Sequence, residues 1–185
     1  RGSGRGIKQL AELQELADVL VGGDGEVAIF KVIEAVEQGA DFPILIDADQ
    51  IDSEMFLSEE ALSTMPFPAR HLISLNSYHY EIEGRAASNV IGELGCPYGC
   101  LFCGNRNSPS FRRVRARTPA NICAELVHLY RQYDLRAAMF SDDELNIPSN
   151  FSLLMTEIIR MQETLGVDWR FRCFLKSNLL TEPQA

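Results

Sequence analysis

The sequence predicts an α/β fold built on a parallel sheet, and three observations carry that expectation. Strands and helices alternate as βαβαβ from residue 86 onward; a separate βα unit stands near the start; and helix ends are marked by their own cap signals. In the second half, SNVIGEL (88–94) reads as a strand, and Thr118 followed by Pro119 is an N-cap with proline at N1, opening a helix to about Tyr133. AAMFS (137–141) is the next strand, residues 149–166 the next helix, and DWRFRCFLK (168–176) a third strand, with Thr181-Glu182-Pro183 starting one more helix. In the first half, Ile7, Leu10, Leu13, Leu16 and Ala17 have helical spacing, and DVLV (18–21) is a short buried strand. A GGDGE turn then leads into a helix with Val27, Phe30, Val32, Ile33 and Val36 expected inward and Gly39 as C-cap, followed by a strand at 42–47. Residues 48–85 mix acidic and apolar residues around Pro66 and Pro68, and read as a connector with one hairpin.

Composition narrows the class of function. A formal net charge of −9 argues against a general nucleic-acid binder. No run approaches the twenty apolar residues of a membrane span, and residues 1–20 lack a secretory signal, so a cytoplasmic, reducing setting is expected. The five cysteines are an odd number, and three crowd into one loop, which favours metal or redox chemistry over a disulfide framework.

That loop is GELGCPYGCLFCGNRN (92–107), with Cys96, Cys100 and Cys103 spaced three residues and then two, at the carboxyl end of the first strand of the series. On a loop, three thiolates can converge on one face and each bind an iron of a cubane cluster, leaving one iron open to a small molecule. Gly95, Gly99 and Gly104 would let backbone amides approach the sulfides. The competing arrangement is a structural zinc completed by Cys123, Cys173 or His128. Zinc knuckles usually pair C-x2-C, whereas Cys123 falls on a predicted helix and Cys173 on a predicted strand, so both fit better as small core residues.

Cys96-x3-Cys100-x2-Cys103, with Phe102 directly before the third cysteine, resembles the signature of radical S-adenosylmethionine (SAM) enzymes. The resemblance implies a [4Fe-4S] cluster on the three thiolates, with SAM chelating the fourth iron and being cleaved reductively to a 5′-deoxyadenosyl radical. Phe102 would flank the adenine. Where the family carries Gly-Gly-Glu after the next strand, this chain has Asp142-Asp143-Glu144, expected to meet the SAM amino group, and Lys176 stands where a cation could pair with the SAM carboxylate. No side chain is assigned a direct catalytic role.

The residues around the loop resemble the cobalamin-binding branch of that family. The stretches are Gly23-Asp24-Gly25-Glu26, MPFPARHL (65–72), RVRARTPANICAEL and MFSDDELN. The implied architecture is the end of a Rossmann-like cobalamin-type domain over 1–47, a connector over 48–85 and the first half of a partial (β/α)6 radical SAM barrel over 86–185. A histidine-containing corrin loop and three further barrel strands are not found, so the chain is expected to be a slice of a longer protein. The implied function is cobalamin-dependent methyl or group transfer, with cobalamin as a further cofactor. Implied partners are a small-molecule or biosynthetic-intermediate substrate and an electron donor of flavodoxin or ferredoxin type.

Other patterns remain open beside this one. A radical SAM enzyme without cobalamin, such as a methylthiotransferase or cyclising synthase, would use the same loop. Gly23-x-Gly25-x-x-Ala28 with Asp47 formally matches a dinucleotide fingerprint, although Asp24 and Glu26 would repel a pyrophosphate. Arg106, Arg112, Arg113, Arg115 and Arg117 surround Phe111, which would suit a metal-stabilised RNA-binding module; pairing with the chain's many acids is the expected alternative. His71, His79 and His128 have no ligand spacing.

Overall fold

In the computed structural model, residue 13, residues 15–147 and residues 149–180 are described. Most of the helix expected at 7–17, and the helix start at 181–183, lie outside them. The chain separates into two compact units that are not consecutive in sequence. One comprises Arg1–Ser58 with Gly95–Val114, the other Glu59–Leu94 with Arg115–Ala185.

The first unit holds β1 (Leu20–Gly23), α1 (Gly25–Gln38) and β2 (Leu45–Ala48), with β1 and β2 parallel in the register Leu20 to Leu45. Gly23 has φ +103, and a Cβ there would stand 2.4 Å from the Ala48 carbonyl carbon, so glycine is required for the strand ends to lie together. Gly39 closes α1 in the left-handed conformation at φ 63, as its sequence predicts. The expected inward face is different. Ala28 is the buried residue of α1, whereas Phe30, Ile33 and Val36 are exposed, Phe30 by 68%. Periodicity shows which stripe seeks cover, but cover must come from another element.

The second unit contains α2 (Glu59–Thr64), β3 (Glu81–Ile82), β4 (Arg85–Val90), β5 (Glu93–Leu94), β6 (Arg115–Ala116), α4 (Pro119–Tyr133), β7 (Ala137–Phe140), α5 (Phe151–Leu165) and β8 (Arg170–Arg172), with α3 (Pro109–Arg112) belonging to the first unit. Its main sheet has the order β3-β4-β7-β8. The β4–β7 and β7–β8 pairs are parallel, and β3 joins β4 as an antiparallel hairpin through Glu83 and Gly84, both at positive φ. The hairpin expected within the connector instead joins its end, β3, to the first strand of the parallel series, β4. The strand expected at 88–94 divides into β4 and β5, and β5 pairs with β6.

Helices α4 and α5 carry the core. Thr118 accepts the Asn121 amide at 3.3 Å as N-cap of α4, and Pro119 occupies N1. Ile122, Leu126 and Leu129 lie on one α4 face, and Leu154, Ile158 and Met161 on one α5 face. They bury against Val90, Ala138, Phe140 and Trp169 of the sheet region, with Leu126 fully buried. Within this core lies an ionic triad that periodicity does not reveal. Glu125 accepts Arg70 Nη2 at 2.7 Å and Arg117 Nη1 at 2.6 Å, while the same guanidinium nitrogens donate to the carbonyls of Asn89 and Ile91. Buried pairs of this kind contribute little net stability, but their donors fix where the end of β4 lies.

Candidate functional site

The cysteine loop, residues 95–114, leaves from the carboxyl end of β5 and returns into β6, and it forms part of the first unit. It is closed on itself by backbone contacts. The Cys96 amide donates to the Phe111 carbonyl at 2.8 Å, and Gly95, at φ +96, sits where a Cβ would be 2.5 Å from that same oxygen. Gly95 thus serves backbone closure within the loop. Further along, the Cys103 amide donates to the Cys100 carbonyl at 3.0 Å. Arg112 donates to the Pro97 carbonyl at 2.6 Å, and Arg106 to the Leu101 carbonyl. Phe102, beside them, is 92% exposed.

None of the five cysteines is in a disulfide; Cys100 is exposed, and Cys96 and Cys103 are half-buried. Burial pushes the Cys123 thiol up to about 11, with Glu157 adding to the effect, and raises Cys173, with Asp142 contributing. Both pack against the core of the second unit. Both therefore behave as small, half-buried core thiols, as their sequence context predicts. Among the described residues, no three His, Cys, Asp or Glu side chains are grouped to hold a metal ion as the loop lies. The donor chemistry fits an iron–sulfur cluster nonetheless. Three cysteines outside any disulfide sit on a loop anchored at its base, and metal ligands are commonly gathered by the metal itself.

The acidic turn and Lys176 belong to the second unit. Asp142 is 3% exposed and directed inward, its carboxylate accepting the Gly92 amide at 2.9 and 3.1 Å and the Glu93 amide as well. Burial raises its pKa to about 6, with the amide bonds opposing and the Asp143 charge adding. Its carboxylate therefore ties the end of β4 to the end of β7, a role that sequence alone does not show. Glu144 differs. Its Oε2 atom is buried without a hydrogen-bond partner among the described residues. Asn146, which the sequence did not single out, joins this turn to Lys176: its Nδ2 donates to the Lys176 carbonyl at 3.0 Å and its Oδ1 accepts the Lys176 amide at 2.8 Å. Leu145 donates to the Phe174 carbonyl at 2.9 Å alongside. The structure thus brings the turn bearing Asp142, Asp143 and Glu144 together with the Lys176 backbone. The signal available in sequence was an asparagine two residues after the acids.

Four of the five arginines in the basic segment are engaged or enclosed within the chain. Arg106 and Arg112 bind carbonyls of their own loop, Arg117 is consumed by Glu125, and Arg115 is buried. Asp47 likewise has a local use, accepting the Asp49 amide at 3.0 Å to form the turn after β2. No helix among the described residues is long and apolar enough to cross a membrane.

No family model matches the chain. It is 23% identical over 159 residues to an uncharacterized methyltransferase of Pyrococcus horikoshii, covering 82% of this chain and 34% of that protein. It is 28% identical over 137 residues to the anaerobic magnesium-protoporphyrin IX monomethyl ester cyclase of Synechocystis, covering 68% of this chain and 26% of that one. Among solved structures, it matches the radical S-adenosylmethionine methyltransferase TsrM of Kitasatospora setae, determined with its tryptophan substrate and a SAM analogue. That match has a TM-score of 0.55 at 18% identity, over 78% of this chain and 29% of that one. A second TsrM structure, with cobalamin and a [4Fe-4S] cluster bound, matches at a TM-score of 0.52 and 17% identity. The chain thus spans about a third or less of the proteins it matches. The α/β fold class expected from the sequence is borne out, and the fold is similar to that of the radical SAM methyltransferase TsrM.

Proposed function

We propose that this chain carries the cluster-binding part of a radical SAM methyltransferase of the cobalamin-dependent type. The observation that carries the reading is the set of three cysteines outside any disulfide, Cys96, Cys100 and Cys103, on a loop entered from the carboxyl end of a strand in a fold shared with TsrM. These thiolates would hold a [4Fe-4S] cluster, which when bound and reduced supplies the electron for reductive cleavage of SAM. The chain's own residues bind and orient. Glu144, with a buried acceptor lacking a partner, is the best placed of the acidic residues to receive the SAM ammonium, and Asp143 is the second candidate. Asp142 is assigned instead to holding the turn. Lys176 supplies positive charge for the SAM carboxylate, and exposed Phe102 offers a face to the adenine.

Cobalamin, a small-molecule substrate, a flavodoxin- or ferredoxin-type electron donor and a cytoplasmic setting complete the proposal. The corrin-dependent reading is favoured over a corrin-free one because the structural match includes a cobalamin-bound methyltransferase and the sequence matches include a methyltransferase. The test is anaerobic reconstitution followed by iron and sulfide analysis, with electron paramagnetic resonance of the reduced protein with and without SAM. The expected result is a cluster signal that changes on adding SAM, and loss of cluster retention in Cys100→Ala. Full iron and sulfide in that variant, or copurifying zinc in place of iron, would overturn the assignment.

A further inference from the structure

We propose that Asp49, in the turn after β2, is a positioning residue for the cysteine loop and so for the cluster; its bearing on the cluster rests on the reading above. Asp49 Oδ1 accepts the hydroxyls of Ser108 and Ser110, each at 2.5 Å, and the Ser110 amide at 3.2 Å. Ser110 is 3% exposed, so its hydroxyl is buried at this contact. Ser108 Oγ in turn accepts the Phe111 amide at 3.1 Å as the N-cap of α3. The Phe111 carbonyl accepts the Cys96 amide at 2.8 Å. Three steps therefore connect a carboxylate in the N-terminal βα unit to the backbone of the first cysteine, across about sixty residues of sequence.

The chemistry suits a latch. One carboxylate oxygen receiving three donors forms charge-assisted bonds, stronger than neutral ones, and an alanine would remove all three at once. The Asp49 backbone is itself set by Asp47, whose carboxylate accepts the Asp49 amide at 3.0 Å and Gln50 Nε2 at 3.5 Å. Asp49 thereby makes the order of the cysteine loop depend on the β1–α1–β2 unit, the part that resembles a cobalamin-type domain.

The test compares Asp49→Ala with Asp49→Asn, which keeps Oδ1 as an acceptor, in the whole chain. In the cluster-free protein, amide hydrogen exchange at Cys96 should accelerate about tenfold in Asp49→Ala and by less than about threefold in Asp49→Asn. Exchange at Leu126 and Ile158 should stay unchanged, which shows that the second unit remains folded. After anaerobic reconstitution, iron release to a chelator should be about tenfold faster in Asp49→Ala and restored toward wild type in Asp49→Asn. Unchanged Cys96 exchange in Asp49→Ala would overturn the latch, and iron release at the wild-type rate would overturn its bearing on the cluster. If the unsubstituted chain takes up no cluster, the cofactor reading fails separately, and the exchange at Cys96 still decides whether Asp49 holds the loop.

Discussion

The chain contains two βαβ arrangements, and they differ in how much of their apolar surface is covered. In the second unit, β4, α4 and β7 are joined by α5, and Leu126 on α4 is fully buried. In the first unit, α1 has the same helical spacing and an equally clear C-cap, yet buries Ala28 and leaves Phe30, Ile33 and Val36 exposed. Amphipathic pattern and cap chemistry are local properties and are present in both. Burial depends on a neighbouring layer, and the described residues supply one for α4 but not for the outer stripe of α1.

Substitutions can break this comparison. Leu126→Ala should cost about 3 kcal/mol in denaturant unfolding, because it combines lost transfer energy with a cavity in a close-packed site. Next is Gly95→Ala, which places a methyl group against the Phe111 carbonyl at positive φ. It should destabilise the cysteine loop by about 2 kcal/mol and lower iron retention while leaving α4 and α5 protected from exchange.

Asp142→Asn sharpens the comparison through pH. The folded pKa of Asp142, about 6, lies above its ordinary 3.8. The native state therefore binds the proton more tightly, and this contribution is fully present below about 3.8 and lost as pH rises through about 6. Burial is the main cause and the Asp143 charge adds to it, while the Gly92 and Glu93 amides oppose both. Asparagine keeps an acceptor for both amides and removes the titration, so the variant should gain roughly 2 kcal/mol relative to wild type between pH 4 and pH 7. A constant difference across that range would show that the carboxylate does not titrate there. Smallest of all, Phe30→Ala should change stability by under about 0.5 kcal/mol, since its side chain is already in water. A cost above 2 kcal/mol would show that the α1 stripe is covered in solution.

Much of the candidate site was legible before the fold, though unevenly. Cys96, Cys100 and Cys103 announced themselves by spacing, and Thr118-Pro119 by cap chemistry, because both signals act within a few residues. The acidic turn was found but its members were treated alike, whereas Asp142 faces backbone amides and Glu144 retains a buried, unpartnered oxygen. Alternating exposure along a turn is decided by which groups it meets, and the partners of Asp142 lie about fifty residues earlier. Asn146 and Asp49 escaped notice for the same reason: each is an ordinary polar residue until its contacts are seen.

By itself the sequence determined the strand and helix order, the helix ends and the three thiols, all of which depend on the identities of near neighbours. Tertiary structure alone decided which arginines are consumed by Glu125 and by loop carbonyls, which acid turns inward, and which carboxylate reaches α3. Those outcomes depend on desolvation and on partners brought together across long stretches of chain. No local pattern encodes either quantity.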